Sequence, residues 1–312
     1  MDSNKVEFEQ VIERGSGIDV HKSLLVATIR GIGIKEETRE YGAFTEDIES
    51  LHKWLQENKI THIAMESTGV YWKPVFNILE ADFEIILVNA RHIKNVPGHK
   101  TDKKDSRWIA KLLLSGLLKG SFIPKQPIRD LRDMTRYRRK VVEQISSEKN
   151  RIQKILEDGN IKPSSVVSNM SGAAATRIID DLIAGEEDIT KLVAHRHGKM
   201  QVNETDLAKS LVGNLTSHHR QMLQLIKQSI RDKELLISNL NNLIAEHLKA
   251  NELELDRDLL STIPGVGKEG AEYIIAEIGN DMSVFEDEQH LSSWAGMSPG
   301  NNESAGKKKA HE

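Results

Sequence analysis

Cysteine is absent from the 312 residues. That excludes disulfides, thiolate zinc sites and cysteine nucleophiles, and any bound metal must use oxygen or imidazole donors. No apolar run approaches the roughly 18 residues of a membrane span. The start, MDSNKVEFEQ, has neither the basic n-region nor the apolar h-region of a secretion signal, so a cytoplasmic protein with no membrane partner is expected. An excess of positive charge is also missing: 43 Lys and Arg stand against 47 Asp and Glu, a net charge of −4. A polyanion would therefore have to be met by local patches. No internal repeat or low-complexity linker is visible.

What remains is an ordinary globular composition, 38% hydrophobic, in a chain long enough for two or three domains. Two basic patches stand out, at 91–111 and 129–154. The first contains Lys100, Lys103 and Lys104; the second contains Arg136, Arg138 and Arg139 on a continuous charged helix expected over 128–157. Laid against a nucleic acid, both would meet phosphate.

The first third carries four acids in informative places. Asp19 lies in GSGIDVHKSLLVATI and Glu66 in HIAMESTGVYW, each interrupting a strand-like apolar run where a charge is costly unless used. Asp102 and Asp105 lie one helical turn apart in GHKTDKKDSRWIAKLL. Carboxylates held that way can converge on Mg²⁺ or Mn²⁺, which take hard oxygen ligands, and once together would raise one another's pKa unless cations neutralised them. A site of that kind can hold two ions and serve phosphoryl transfer. His21 and His99 lie nearby and read as surface or hydrogen-bonding residues.

Alternating apolar residues predict a three-strand meander over 15–44. TEDIESLHKWLQENK then has helical spacing through Ile48, Leu51, Trp54 and Leu55, with Thr45 as its N-cap. THIAMES and FEIILVN read as strands, VYWKPVFNILEA as a helix with Pro74 in its first turn, and DSRWIAKLLLSGLL as another helix. The order β-β-β-α-β-α-β-α is the ribonuclease H-like arrangement. Residues 158–206 read as shorter helices joined by turns. Over 207–248, Leu211, Leu215, Met222, Ile226, Leu236, Leu240 and Leu243 form a seam that fits either a hairpin packed on itself or a dimeric coiled coil. Near Arg257 the chain gives a helix, the turn IPGVG and a second helix, resembling a helix-hairpin-helix. There Gly265, Gly267 and Lys268 would let backbone N–H groups approach phosphate.

The segments GIDVHK, AMESTGVYWKPV, NARHIKNVPGHKTDKKDSRWIAKLL, IKPSSVVSNMSG, LTSHHRQML, IPGVGKEGAEYIIAEIGNDMSVF and SSWAGMSPGNNESAGK span about 15–309. Together they resemble a DEDD-type transposase of the insertion-sequence-110 family, with a nuclease domain similar to the Holliday-junction resolvase RuvC. The resemblance implies metal-binding roles for Asp19, Glu66, Asp102 and Asp105, and a middle section that assembles subunits into a dimer or tetramer. It further implies DNA strand exchange through a serine nucleophile, Ser304 or failing that Ser298, guided by a structured RNA encoded by the element. Three sections are expected: a RuvC-like domain at 1–127, a helical and coiled-coil section at 128–256, and a C-terminal transposase domain from 257 to 312. Family members continue past this segment with further helices whereas the chain ends GKKKAHE, so an incomplete C-terminal domain is expected. Two rival readings are a metal-dependent Holliday-junction resolvase that needs no serine and an inactive DNA-binding remnant.

Overall fold

GSGIDVHKSLLVATIR folds as two antiparallel strands, β1 (Arg14–Val20) and β2 (Leu25–Gly31), which exchange register from Arg14↔Gly31 to Val20↔Leu25. A computed structural model describes residues 11–66, 69–89, 105–197, 201–297, 303–304 and 307–308. Contacts divide the chain into two compact units, Met1–Ile123 and Pro124–Glu312.

The first unit continues with β3 (Glu37–Tyr41), α1 (Thr45–Glu57), β4 (His62–Glu66), α2 (Trp72–Leu79), β5 (Glu84–Val88) and α3 (Asp105–Leu114). Sheet order is β3-β2-β1-β4-β5, with β1, β4 and β5 parallel and β2 antiparallel to its neighbours. This mixed five-stranded sheet with helices is consistent with the ribonuclease H-like expectation, and its element order is the one read from the sequence.

Side chains alternate across each strand, so the sheet has two distinct cores. On one face Ile18, Leu25, Ala27, Ile63, Met65 and Leu87 pack with Ile48, Leu51 and Leu55 of α1 and Val75 and Leu79 of α2. On the other, Ala64 and Val88 pack with Ile109, Leu112 and Leu113 of α3. Helix α1 begins one residue differently from expectation: Phe44, not Thr45, is the N-cap. The reason is Asp47, whose carboxylate accepts the Phe44 backbone N–H at 3.2 Å and anchors the helix entry from inside its first turn.

The second unit is helical. Its frame is an antiparallel pair, α4 (Gln126–Asp158) and, after α5 (Ala173–Ala184), α6 (Ile189–Val193) and α7 (Glu204–Leu211), the long α8 (Ser217–Ala250). The expected seam over 207–248 is not one helix. Leu211 ends α7, Leu215 lies between helices, and α8 starts where the Thr216 hydroxyl accepts the His219 N–H at 3.2 Å. Ile145, Ile152 and Leu156 of α4 pack with Leu223, Ile226 and Ile230 of α8 at one end, joined by α5–α7. At the other end Ile128 and Leu131 meet Ile244 and Leu248. There the pair also packs with α9 (Glu254–Leu260) and α10 (Lys268–Ile278). A short α11 (Glu288–Trp294) follows, then a two-rung ladder of β6 (Glu303–Ser304) and β7 (Lys307–Lys308). Among the described residues no helix is long and apolar enough to cross a membrane.

Candidate active site

Strand register brings Asp19 and Glu66 to neighbouring positions. β1 and β4 pair in parallel from Gly15↔His62 to Ile18↔Met65, and one further step in that register sets Asp19 beside Glu66 at the carboxyl ends of the two strands. Which face they take follows from alternation. Ile18 and Met65 point into the α1/α2 core, so Asp19 and Glu66 lie on the opposite face, with Gly17 and Ala64.

Helix α3 covers that face, and Gly17 is what lets it approach. A Cβ at Gly17 would overlap the Ser106 carbonyl oxygen and the Ala110 nitrogen, so any other residue would push the helix off the sheet. The start of α3 is then pinned by hydroxyls: buried Thr28 of β2 shares hydrogen bonds with Ser106 at 2.8 Å and with Thr38 of β3 at 2.9 Å. Asp105 is the first residue of this helix. Strand register and helix docking therefore bring Asp19, Glu66 and the N-terminus bearing Asp105 to one face of the sheet. Asp102 lies outside the described residues, as do Lys100, Lys103 and Lys104.

His21, expected as a surface or hydrogen-bonding residue, takes Asp19 as its partner. His21 Nε2 hydrogen-bonds the Asp19 carboxylate at 3.1 Å, with the Asp19 side chain only 19% exposed and the imidazole 59% exposed. His21 is the first residue past the end of β1, two along from Asp19, but an isolated histidine gave no reason to prefer that pairing. Among the described residues no group of three or more His, Asp or Glu side chains gathers closely enough to hold a metal ion. The chemistry of the donors nonetheless fits a hard cation: Asp19 and Glu66 supply carboxylate oxygens, the ligand class Mg²⁺ and Mn²⁺ prefer.

The basic residues of α4 are placed unequally. Arg138 is a correction to the expected phosphate contact: it is 2% exposed and donates to Glu272 of α10 at 2.7 Å and Asn241 of α8 at 2.9 Å. Its guanidinium also lies 5.0 Å from the Tyr273 ring centre. Burial alone would lower the Arg138 pKa, but the hydrogen bonds to Glu272 and Tyr273 and the charges of Glu272 and Glu269 hold it above the ordinary value. Arg136 makes a bidentate pair with Glu277, at 2.8 and 2.7 Å. Neighbouring Arg132 donates to the Ala276 and Glu277 carbonyls, both at 2.9 Å, capping the C-terminal end of α10. Arg139 differs: its side chain is 73% exposed and, among the described residues, pairs with Glu143 of its own helix. What looked like one basic stripe is an internal clamp on α10 plus an outward-facing arginine.

The IPGVG turn has the geometry its residues dictate. Val266 N–H donates to the Ile263 carbonyl at 2.9 Å, with Pro264 and then Gly265 between them, and Gly265 takes φ +88° as a type II turn requires. Gly267 is the N-cap of α10 and Lys268 its first residue. Nothing lies within 4 Å of a Cβ built at Gly265 or Gly267, so the turn is open on that side. In the terminal ladder Ser304 pairs with Lys307; Ser298 lies outside the described residues.

The chain matches two family models. Residues 16–161 match a transposase model of the DEDD type from IS110 elements, which spans the sheet unit and runs through α4. Residues 257–312 match a model described as Transposase IS116/IS110/IS902 family, which takes in α10 and the terminal ladder. No individually curated protein matches the chain. Both models are of transposases and both name IS110, with Asp19, Glu66, Asp102 and Asp105 inside the first match and Ser304 inside the second. The chain therefore belongs to the IS110 family of insertion-sequence transposases.

Proposed function

We propose that the chain cleaves and rejoins DNA strands with two sets of residues: a metal-binding set, Asp19, Glu66, Asp102 and Asp105, at the carboxyl end of the sheet, and a nucleophile, Ser304, supplied by the C-terminal section of another subunit. One observation carries the reading: the β1/β4 register sets Asp19 next to Glu66 on the face against which the start of α3 is docked. In this reading the working divisions are a nuclease domain at 1–127, a helical section at 128–256 and a serine-bearing section at 257–312.

The four carboxylates would hold Mg²⁺ or Mn²⁺, which when bound supplies Lewis acidity to phosphoryl oxygens. The protein's own residues do the positioning. His21 fixes the orientation of the Asp19 carboxylate, and the Thr28–Ser106 hydrogen bond fixes the helix that begins at Asp105. In the cleavage step the Ser304 hydroxyl oxygen forms a bond to phosphorus as the bond from phosphorus to the departing sugar oxygen breaks. The hydroxyl proton passes to a neighbouring base, since serine is a weak nucleophile without one. The lysine run at 307–309 supplies positive charge to this segment.

Arg139 on α4 and the open turn at Gly265, Gly267 and Lys268, read as a helix-hairpin-helix, serve as DNA phosphate contacts. A structured guide RNA directs DNA choice. Self-association to a dimer or tetramer uses the outward side of α8, where Leu225, Leu235 and Leu243 are exposed. The resolvase reading shares the four acids and lacks the serine step. Labelled four-way junction DNA, Mg²⁺ and a denaturing gel separate them. A protein–DNA adduct that Ser304→Ala removes supports the transposase mechanism; free cleaved ends without an adduct support hydrolysis.

A further inference from the structure

Two aromatic side chains stand at the same sheet edge as the carboxylates and take no part in the core. Tyr41, Asp19 and Glu66 occupy the same ends of β3, β1 and β4. The connections leaving that edge lead into α1 and α2, so both helices start there. Phe44, the N-cap of α1, is 83% exposed, and Tyr71, the N-cap of α2, is 42% exposed. Their neighbours behave differently: Trp72 packs edge-on against Phe76, 5.7 Å between ring centres, and against the sheet core. Helices α1 and α2 lie side by side on the α1/α2 face. Phe44 and Tyr71 therefore cap the same ends of two neighbouring helices, on the sheet face opposite the one bearing Asp19 and Glu66.

We propose that Phe44 and Tyr71 form a stacking platform for unpaired bases of the DNA strand whose phosphodiester lies at the carboxylates. This rests on the reading of that edge as the cleavage site. The chemistry follows from the shape of a nucleotide, whose phosphate and base project to opposite sides of the sugar. A strand laid along the edge would turn its phosphate to the Asp19/Glu66 face and its base over the sheet end, where an aromatic ring offers a sequence-tolerant surface. The Lys22 side chain, exposed in the β1–β2 turn at this edge, adds positive charge for the backbone. Paired bases in an intact duplex cannot use such rings, so the platform selects opened or single-stranded DNA.

The test uses the full chain and an oligothymidylate carrying one fluorescent purine analogue, alongside a fully paired duplex of the same length. Phe44→Ala and Tyr71→Ala should each weaken single-strand binding about tenfold, abolish quenching of the analogue, and leave duplex binding and the salt dependence unchanged. Phe44→Trp should restore both affinity and quenching. Unchanged affinity and quenching in both alanine variants, or an equal loss on duplex, would overturn the platform. Asp19→Asn separates the two claims: it should lose junction cleavage while keeping the quenching. Cleavage that survives Asp19→Asn contradicts the proposed function and leaves the stacking result standing.

Discussion

Arg138 of α4 donates to Glu272 of α10 at 2.7 Å with its own side chain 3% exposed and that of Glu272 13% exposed. The pair ties a helix of the C-terminal section to the long helical frame, across 134 residues of sequence. Removing one partner leaves a buried charge uncompensated, which typically costs about 3–5 kcal/mol. Glu272→Ala should therefore destabilise the helical unit by about that much in chemical denaturation, less whatever Asn241 and Glu269 retain. An Arg138→Met, Glu272→Met double variant should be more stable than either single change, because no charge is then stranded.

Arg139 should behave in the opposite way. Exposed and, among the described residues, paired with Glu143 on its own helix, it contributes little to folding, since within-helix surface pairs are worth about a few tenths of a kcal/mol. Arg139→Ala should leave the unfolding midpoint unchanged and reduce the slope of log affinity against log salt for duplex DNA by about one. A normal slope would remove Arg139 from the DNA contacts.

Association should depend on Leu235 and Leu243 and not on Leu240. Leu240 is 6% exposed and belongs to the interior of the helical unit, whereas Leu235 and Leu243 are 63% and 51% exposed. Leu235→Glu with Leu243→Glu should give a monomer by light scattering with little change in stability. Leu240→Glu should instead unfold the unit.

Acid should loosen α11 first at its N-terminus. Asp287 accepts the His290 backbone N–H at 2.8 Å and contacts the His290 ring, which lowers its pKa from the ordinary carboxylate value. A depressed folded-state pKa gives stability that is present above the unfolded value, near 3.9 for aspartate, and lost as pH falls through the folded one. The protection factor of the His290 amide, with the intrinsic pH dependence of exchange divided out, should fall below about pH 4, and Asp287→Asn, which keeps an acceptor without titrating, should flatten that dependence.

The sheet was legible because its cues are local. Alternation in GIDVHKSLLVATI and apolar runs at THIAME and EIILV identify strands regardless of their surroundings. The two acids on β1 and β4 were legible as charges interrupting such runs. Their adjacency was not, because it depends on a parallel register set by distant segments. The fate of Arg138 was equally hidden: a basic stripe on one helix says nothing about Glu272, and only the docking of α10 turns that side chain inward. Gly17 gave no sequence signal at all. Its value lies in the Ser106 and Ala110 backbone it admits.

Manganese binding tests the central claim most directly. Calorimetry of the full chain with Mn²⁺ in the presence of junction DNA should show binding that is lost in Asp19→Asn and in Glu66→Gln, with circular dichroism unchanged in both. Binding that persists undiminished in both variants would contradict a metal site at the ends of β1 and β4.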